Sequence, residues 1–290
     1  MLNIVKKSAK ILKNNLVFIQ PLLLCLLMFM TVASFFVNKN VFITGKICLS
    51  VSLLLLTIAF TAGWLHINKF GVISYNDGDS PEEIANKAIS GIKKFFEGIG
   101  ENFLKTLGAY VVIFLVAIGV IYSVSKLLVA TIGEPKLIYE IPKLAQATSQ
   151  AEILNFVKNI SDNDKIVFSL WMIVSNLVVF IINFFAMLYF SVLNFEKDNF
   201  IKAIWTTIKF FFKNFFASLF VILFILALHF CLNLVSLILG ANSFALVILI
   251  ILFTVYLNYC VLLVFCFYND KAKIDSDNRA EFIGENKISD

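Results

Sequence analysis

Long apolar runs and short polar interruptions alternate along almost the whole chain. Six runs approach or exceed the roughly 20 residues that carry a helix across the hydrocarbon of a bilayer. They lie at about Leu16–Val37, Ile47–Ile67, Thr106–Ala130, Ile166–Phe195, Phe215–Gly240 and Ser243–Tyr268. Lipid offers no hydrogen-bond partner to a bare backbone, so each run is expected to be helical. The pattern therefore predicts an all-α, polytopic integral membrane protein with six transmembrane helices. Turn signals separate the runs: "NKN" at 38, "YNDGDSP" at 75, "EKDN" at 196 and the short "GANS" at 240, which predicts a tight hairpin between spans five and six.

A second period appears where lysines enter apolar sequence. Over residues 199–214, Lys202, Thr206, Lys209 and Lys213 recur at helical spacing. Phe200, Ile201, Ile204, Trp205, Ile208, Phe211 and Phe212 fall opposite. This is the pattern of a helix lying in the membrane surface, with lysines toward headgroups and aromatics at the boundary. Residues 80–100 repeat it. Ser80, Pro81 and Glu83 form a helix start with a capping box, Ile84, Ala88, Ile92, Phe95 and Phe96 line one face, and Lys87, Lys94 and Glu97 line the other. Gly98 and Gly100 are expected to bend the chain into span three. A shorter copy opens the chain, with Leu2, Val5, Ala9 and Leu12 opposite Lys6, Lys10 and Lys13.

The three copies end alike, in "KNNL" at 13, "ENFL" at 101 and "KNFF" at 213, and the exits "VISYND", "VLNFEKD" and "FCFYND" rhyme at Asp77, Asp198 and Asp270. Three repeat units of surface helix plus helical hairpin are expected, at about 1–79, 80–198 and 199–270. Together they form one membrane domain over 1–270, followed by a disordered polar tail over 271–290. The second unit has the long outside loop, 131–165, with "EPKLIYEIPK" and a short helix "SQAEILNFVKNI". "SDND" at 161 is expected to cap span four rather than bind calcium, since no glycine turn or closing Glu follows.

Composition agrees with a membrane domain: 60% of residues are hydrophobic, 15% are charged, and 32 of 290 are Phe. Only Lys39, Lys46, Lys126, Lys136, Lys143, Lys158 and Lys165, of 24 Lys and Arg, fall on the side away from the termini. The positive-inside rule then places both termini in the cytoplasm, in a multi-pass protein of the cytoplasmic membrane. The N-terminal lysines and "TVAS" at 31 also suit a secretory signal, but the apolar stretch is long for one and contains Pro21, so a retained first span is expected. All five cysteines lie in predicted spans without a CxxC pair and read as apolar fillers. The richness in Lys, Asn, Ile and Phe suits a bacterial, AT-rich genome.

Asp, Glu, Lys and Arg are missing from the middle of every span except for Lys126 near the outer end of span three. Ion-coupled transporters usually hold a carboxylate there, so that class is disfavoured. No HExxH, GxSxG or phosphate-binding loop is present, and two histidines on different spans do not make a metal site. The chain is therefore expected to be non-enzymatic, with no cofactor. The polar groups left near mid-bilayer are His229 and Asn233 in span five, Asn176 and Asn183 in span four, and Asn258 in span six. They read either as a polar seam along which a headgroup or solute could pass, or as hydrogen-bonding contacts that hold helices together. His66, beside Trp64, reads as an interfacial residue, and Gly108 and Gly119 as marks of close packing.

The layout, with "KNNL", "KNFF" and "YND", resembles a group of six-helix bacterial membrane proteins that includes the membrane-spanning domain fused to some glycerophosphoryl diester phosphodiesterases. Their catalytic barrel is missing from this chain, so the resemblance implies membrane embedding and no active-site residue. Two functions stand ahead of a third, an intramembrane enzyme that would use His229. One is a lipid-facing protein that organises or helps move lipid or another amphiphile. The other is the permease subunit of an ABC-type exporter, whose residues 80–100 would meet a separate cytoplasmic ATPase. Membrane lipids, an ATPase or another membrane subunit are the expected partners, and nucleic acid is not.

Overall fold

The computed structural model describes residues 1–37, 43–135, 160–196, 199–239 and 243–285. The expected loop features within 136–159 and the "GAN" turn at 240–242 lie outside them. The regular elements among the described residues are helical: α1 Leu2–Asn14, a 3-10 turn Leu16–Ile19, α2 Gln20–Val37, α3 Ile43–Ser74, α4 Pro81–Ile132, α5 Asp162–Phe195, α6 Phe200–Lys213, α7 Phe215–Leu239 and α8 Ser243–Glu285. Five helices are long and apolar enough to cross a membrane, or six if α1 and the following Leu16–Met28 form one bent span.

The predicted helix starts have the predicted chemistry. Ser80 N–H donates to Glu83 Oε2 at 2.7 Å and Glu83 N–H donates back to Ser80 Oγ at 3.3 Å, closing the capping box in front of Pro81. Ser161 Oγ accepts from Asp164 N–H at 3.1 Å, so "SDND" does start α5. Asn199 Oδ1 accepts from Ile201 N–H at 3.2 Å at the start of α6. Gly133, with φ of 93°, ends α4 in the left-handed conformation, its N–H meeting the Leu128 and Val129 carbonyls at 3.2 Å.

Two boundaries differ from expectation. The first elbow is sharp, with the chain turning by 85° between α1 and Leu16–Met28, but the second does not interrupt its helix. α4 runs unbroken for 52 residues, about 78 Å at 1.5 Å per residue, through both Gly98 and Gly100. At the other end α8 continues past Asp270 to Glu285, where an irregular tail is expected. The residues there are mostly tolerated in helices, and no glycine or proline occurs before Gly284.

The chain divides into two compact units, one of Met1–Tyr110 with Ala186–Asp290 and one of Val111–Phe185. In the smaller unit the Trp171 indole N–H donates to the Gly133 carbonyl at 3.0 Å, tying α5 to the end of α4. The larger unit is built around one stretch of α8. Cys260–Tyr268 is buried over its whole length, with Leu262, Leu263 and Val264 at 0% exposure. A helix apolar on every side belongs in a core. Phe210 of α6 packs on Phe267 and Tyr268 at ring separations of 5.4 and 4.7 Å, and Phe195 of α5 packs on Phe265 at 5.6 Å.

Gly98 is not a bend; it is a point of close approach. A Cβ there would overlap His66 Cβ of α3, and one at Gly91 would overlap the Phe18 ring. A Cβ at Gly63 of α3 would stand 2.7 Å from Phe95. Phe18, 1% exposed, wedges between α3 and α4 where Gly71 and Gly91 leave room, and forms a small core with Ile67 and Phe95. Gly108 likewise faces Phe200, 3.0 Å from where its Cβ would stand, whereas Gly119 faces open space.

The two glycines of the expected bend should therefore respond differently. Gly98→Val is expected to lower the thermal midpoint in detergent, with an overpacking cost of about 1–3 kcal/mol. Gly100→Ala, which meets nothing within 4 Å, should be neutral or raise it through better helix propensity. Equal losses at both positions would contradict the close-approach assignment.

Candidate functional site

Three helical stretches come to the same end of the larger unit, and each buries a seam of the same spacing. In α1 the buried residues are Ile4, Ser8 and Ile11; in α6 they are Ala203, Thr207 and Phe210. In the first half of α4 they are Gly91, Phe95 and Gly98. Four residues after the last member stands an asparagine in every case: Asn15, Asn214 and Asn102. Asn15 and Asn214 cap their helices identically. The backbone N–H and side-chain amide of Asn15 both donate to the Ile11 carbonyl at 3.0 Å, and those of Asn214 donate to the Phe210 carbonyl at 3.0 and 3.2 Å. Asn102 lies inside the unbroken α4 and points its amide to His66 Nδ1 at 3.1 Å instead. The burial register thus matches Asn15, and not Asn14, with the other two.

The seam leaves two further faces on α1 and α6. On α6, Ile201, Trp205 and Phe212 are 63%, 60% and 68% exposed, and Lys202, Lys209 and Lys213 stand beside them. The Lys209 ammonium lies over the Trp205 ring at 5.4 Å. On α1, Leu2 is 63% exposed and Ala9 is also exposed, while the buried seam faces α3 and α8. The Leu2, Val5, Ala9, Leu12 face expected from periodicity is therefore the outward apolar face, and Ile4, Ser8 and Ile11 hold the helix to the protein. Lys6 and Lys13 remain exposed on the polar side.

α1 is tied down at both "YND" exits. Lys7 Nζ is 2.7 Å from Asp270 Oδ1, with both side chains 28% exposed, and Lys10 Nζ is 2.8 Å from Asp77 Oδ1, with 62% and 72% exposed. Tyr75 OH donates to Asp77, Tyr268 OH donates to Glu196, and Tyr259 OH donates to the Val5 carbonyl at 3.3 Å. Lys10 and Tyr75 hold the Asp77 carboxyl below the usual carboxylate range, and burial together with Asp77 pushes the Tyr75 phenol up to about 12. Of the other lysines expected at the membrane surface, Lys87 closes the α3–α4 turn on Asp79 at 2.5 Å and the Ser74 carbonyl at 2.7 Å, and Lys94 pairs with Glu97.

Of the polar residues of the expected seam, Asn258 and Asn176 make hydrogen bonds of their own. Asn258, fully buried, accepts from the Trp64 indole N–H at 2.8 Å, joining α8 to α3. The His229 ring lies 5.9 Å from that of Tyr256. Asn233 lines a cavity of about 300 Å³ with Ser236, Leu26, Met30, Leu249 and Phe253. Asn176 and Asn183 belong to the smaller unit, where Asn176 turns its amide to the Met172 carbonyl at 2.8 Å. Sequence periodicity did not point to Trp64, Asn68 or Lys69, whose contacts are all long-range or within one turn; Lys69 Nζ reaches the Asn194 carbonyl at 2.5 Å. Among the described residues no group of His, Cys, Asp or Glu could hold a metal ion.

No known protein family, curated protein or solved structure matches the chain. The reading of its site rests on its own residues.

The Asp77 link fixes a pH dependence. Its carboxyl is lowered in the folded state, so its stabilising contribution is present above the ordinary carboxylate pKa of about 3.9 and is lost as pH falls through the lowered value. Hydrogen exchange of the α1 amides is expected to quicken over that acidic range, and Lys10→Met should remove much of the change. At neutral pH, Asp270→Asn should loosen α1 more than Asp77→Asn, because the Lys7–Asp270 pair is less exposed to solvent screening. The reverse order would argue that the pairs do not anchor the helix.

Proposed function

We propose that this is a non-enzymatic protein of the cytoplasmic membrane, with both termini inside, that organises or helps move lipid or another amphiphile through three units of surface helix and hairpin. The observation that carries this reading is the division of α6 into a buried seam, an exposed aromatic face and a lysine face. A helix with those three faces is suited to lie half-sunk at a leaflet boundary while attached to its protein on one side. The common register of α1, α4 and α6 around Asn15, Asn102 and Asn214 supports three related units. It also keeps open a kinship with the membrane domains fused to glycerophosphoryl diester phosphodiesterases.

The permease reading draws on a different feature. The first turns of α4 are largely exposed, with Ile89 at 67%. That exposed surface would give a cytoplasmic ATPase a place to dock.

Two measurements separate these readings. Reconstituted in vesicles of mixed zwitterionic and anionic lipid, the protein is expected to retain anionic lipid or speed its exchange between leaflets. Lys202→Glu with Lys209→Glu and Lys213→Glu should reduce this several-fold. An unchanged lipid profile in the triple variant, with an ATPase co-purifying in stoichiometric amount, would favour the permease instead. In a cysteine-free background, an impermeant thiol reagent should label a cysteine at Lys143 from outside intact cells and not one at Lys202; the opposite labelling would invert the orientation.

A further inference from the structure

Where the chain leaves α1, the larger unit holds an apolar slot with one closed side and one open side. The cavity, of about 260 Å³, is bounded by the 3-10 turn, the start of α2, α3 and the first half of α4. Phe18, Ile67 and Phe95, all buried, form its floor, while Leu24, Ile92 and Phe96 line it and are exposed. Gly91 leaves room for that floor, because a Cβ there would overlap the Phe18 ring. Along α4 the lining runs from Gly91 to Ile99, a rise of about 12 Å at 1.5 Å per residue. A cavity drawn out over that length suits an extended chain better than a compact solute.

The slot is graded in polarity from end to end. Gln20, at the end nearest α1, is its one polar lining residue, whereas Leu24, Phe60 and Ile99 line the other end. Two exposed lysines flank the polar end. Lys93 follows Ile92 and stands one turn before Phe96, and Lys13 ends α1 four residues before Val17. Glu97, the nearest acid on α4, is held by Lys94. An apolar cavity of this kind takes an apolar ligand rather than water, and α3 and α4 are both long and apolar enough to stand in hydrocarbon. We propose that the slot holds one acyl chain of an anionic phospholipid, the chain running from Gln20 toward Ile99 and the phosphate lying beside Lys13 and Lys93. This rests on the lipid-facing reading above and gives it a specific site, a concave apolar pocket with its few polar groups at one end.

The test is photolabelling of the whole protein in phosphatidylcholine vesicles, with a trace of phosphatidylglycerol carrying a diazirine near one chain end. The label, mapped by mass spectrometry, is expected to collect at Phe60 and Ile99 and to saturate as a single site. A phosphatidylcholine probe with the same chain should label several-fold less, and Lys93→Glu should narrow that difference. Leu24→Trp should fill the slot and cut labelling several-fold, with Ile92→Trp as the second filling variant if the first does not fold; both positions lie outside the buried floor. Label spread evenly onto exposed residues such as Val111 and Phe114, label unaltered in a folded filling variant, or equal labelling by the two headgroups overturns the proposal. Lys202→Glu with Lys209→Glu and Lys213→Glu should leave the label in place, so failure of the lipid-organising reading shows in the exchange assay and failure of the slot shows in the label.

Discussion

A helix attached to the surface of a membrane protein meets three environments at once, and its one circumference must be divided among protein, lipid and water. The organisation of the larger unit follows from that division. α6 gives Ala203, Thr207 and Phe210 to the protein and leaves Ile201, Trp205 and Phe212 on one exposed face and its lysines on another. α1 divides itself in the same way with Ile4, Ser8 and Ile11 inward. Because the inward strip is narrow, it can hold the helix only against a wholly apolar partner. Cys260–Tyr268 of α8 supplies one, which explains why that stretch carries no polar stripe of its own.

The same constraint explains what was legible in the sequence. The spans were legible because nothing but apolar residues satisfies lipid over their length, and the capping box at Ser80 and the cap at Ser161 were legible because their chemistry is local. The lysine stripes of α1 and α6 were also plain. The inward strips were not, because Ser8 and Thr207 are polar and Ala203 is small, so hydropathy assigns them weakly to either side. Their hydroxyls donate within their own helices, to the Val5 and Ala203 carbonyls, which lets these polar side chains be buried.

Glycine was ambiguous for a related reason. Gly98 and Gly100 before Asn102 resemble a hinge, and propensity alone favours that reading. Yet a glycine in a helix is as useful for what it omits as for its backbone freedom, and only the neighbouring helix decides between the two. His66 at Gly98 and Phe18 at Gly91 make that decision here. α4 runs unbroken through Gly98 and Gly100, with Gly98 admitting His66 of α3 and Gly100 meeting nothing within 4 Å. Asn102, in the register at which Asn15 and Asn214 cap their helices, turns to His66 instead. The polar spans followed the same rule, since Asn258 was visible as a polar group needing a partner while the choice of Trp64 depended on tertiary packing.

The ion pairs at the "YND" exits then have a role that their energies alone would not suggest. Exposed pairs contribute little to stability, and Lys10–Asp77 is largely exposed. Apolar seams, however, tolerate a helix that slides or rotates by a residue, because one aliphatic contact replaces another at small cost. Charged groups at fixed positions do not. Lys7 and Lys10 lie three residues apart on α1 and meet two different parts of the fold, α8 at Asp270 and the turn after α3 at Asp77, so only one register satisfies both. The seam supplies attachment and the paired lysines supply register. A helix held in one register keeps its exposed apolar face in one orientation, which the proposed lipid-organising role requires and apolar contacts alone would not provide.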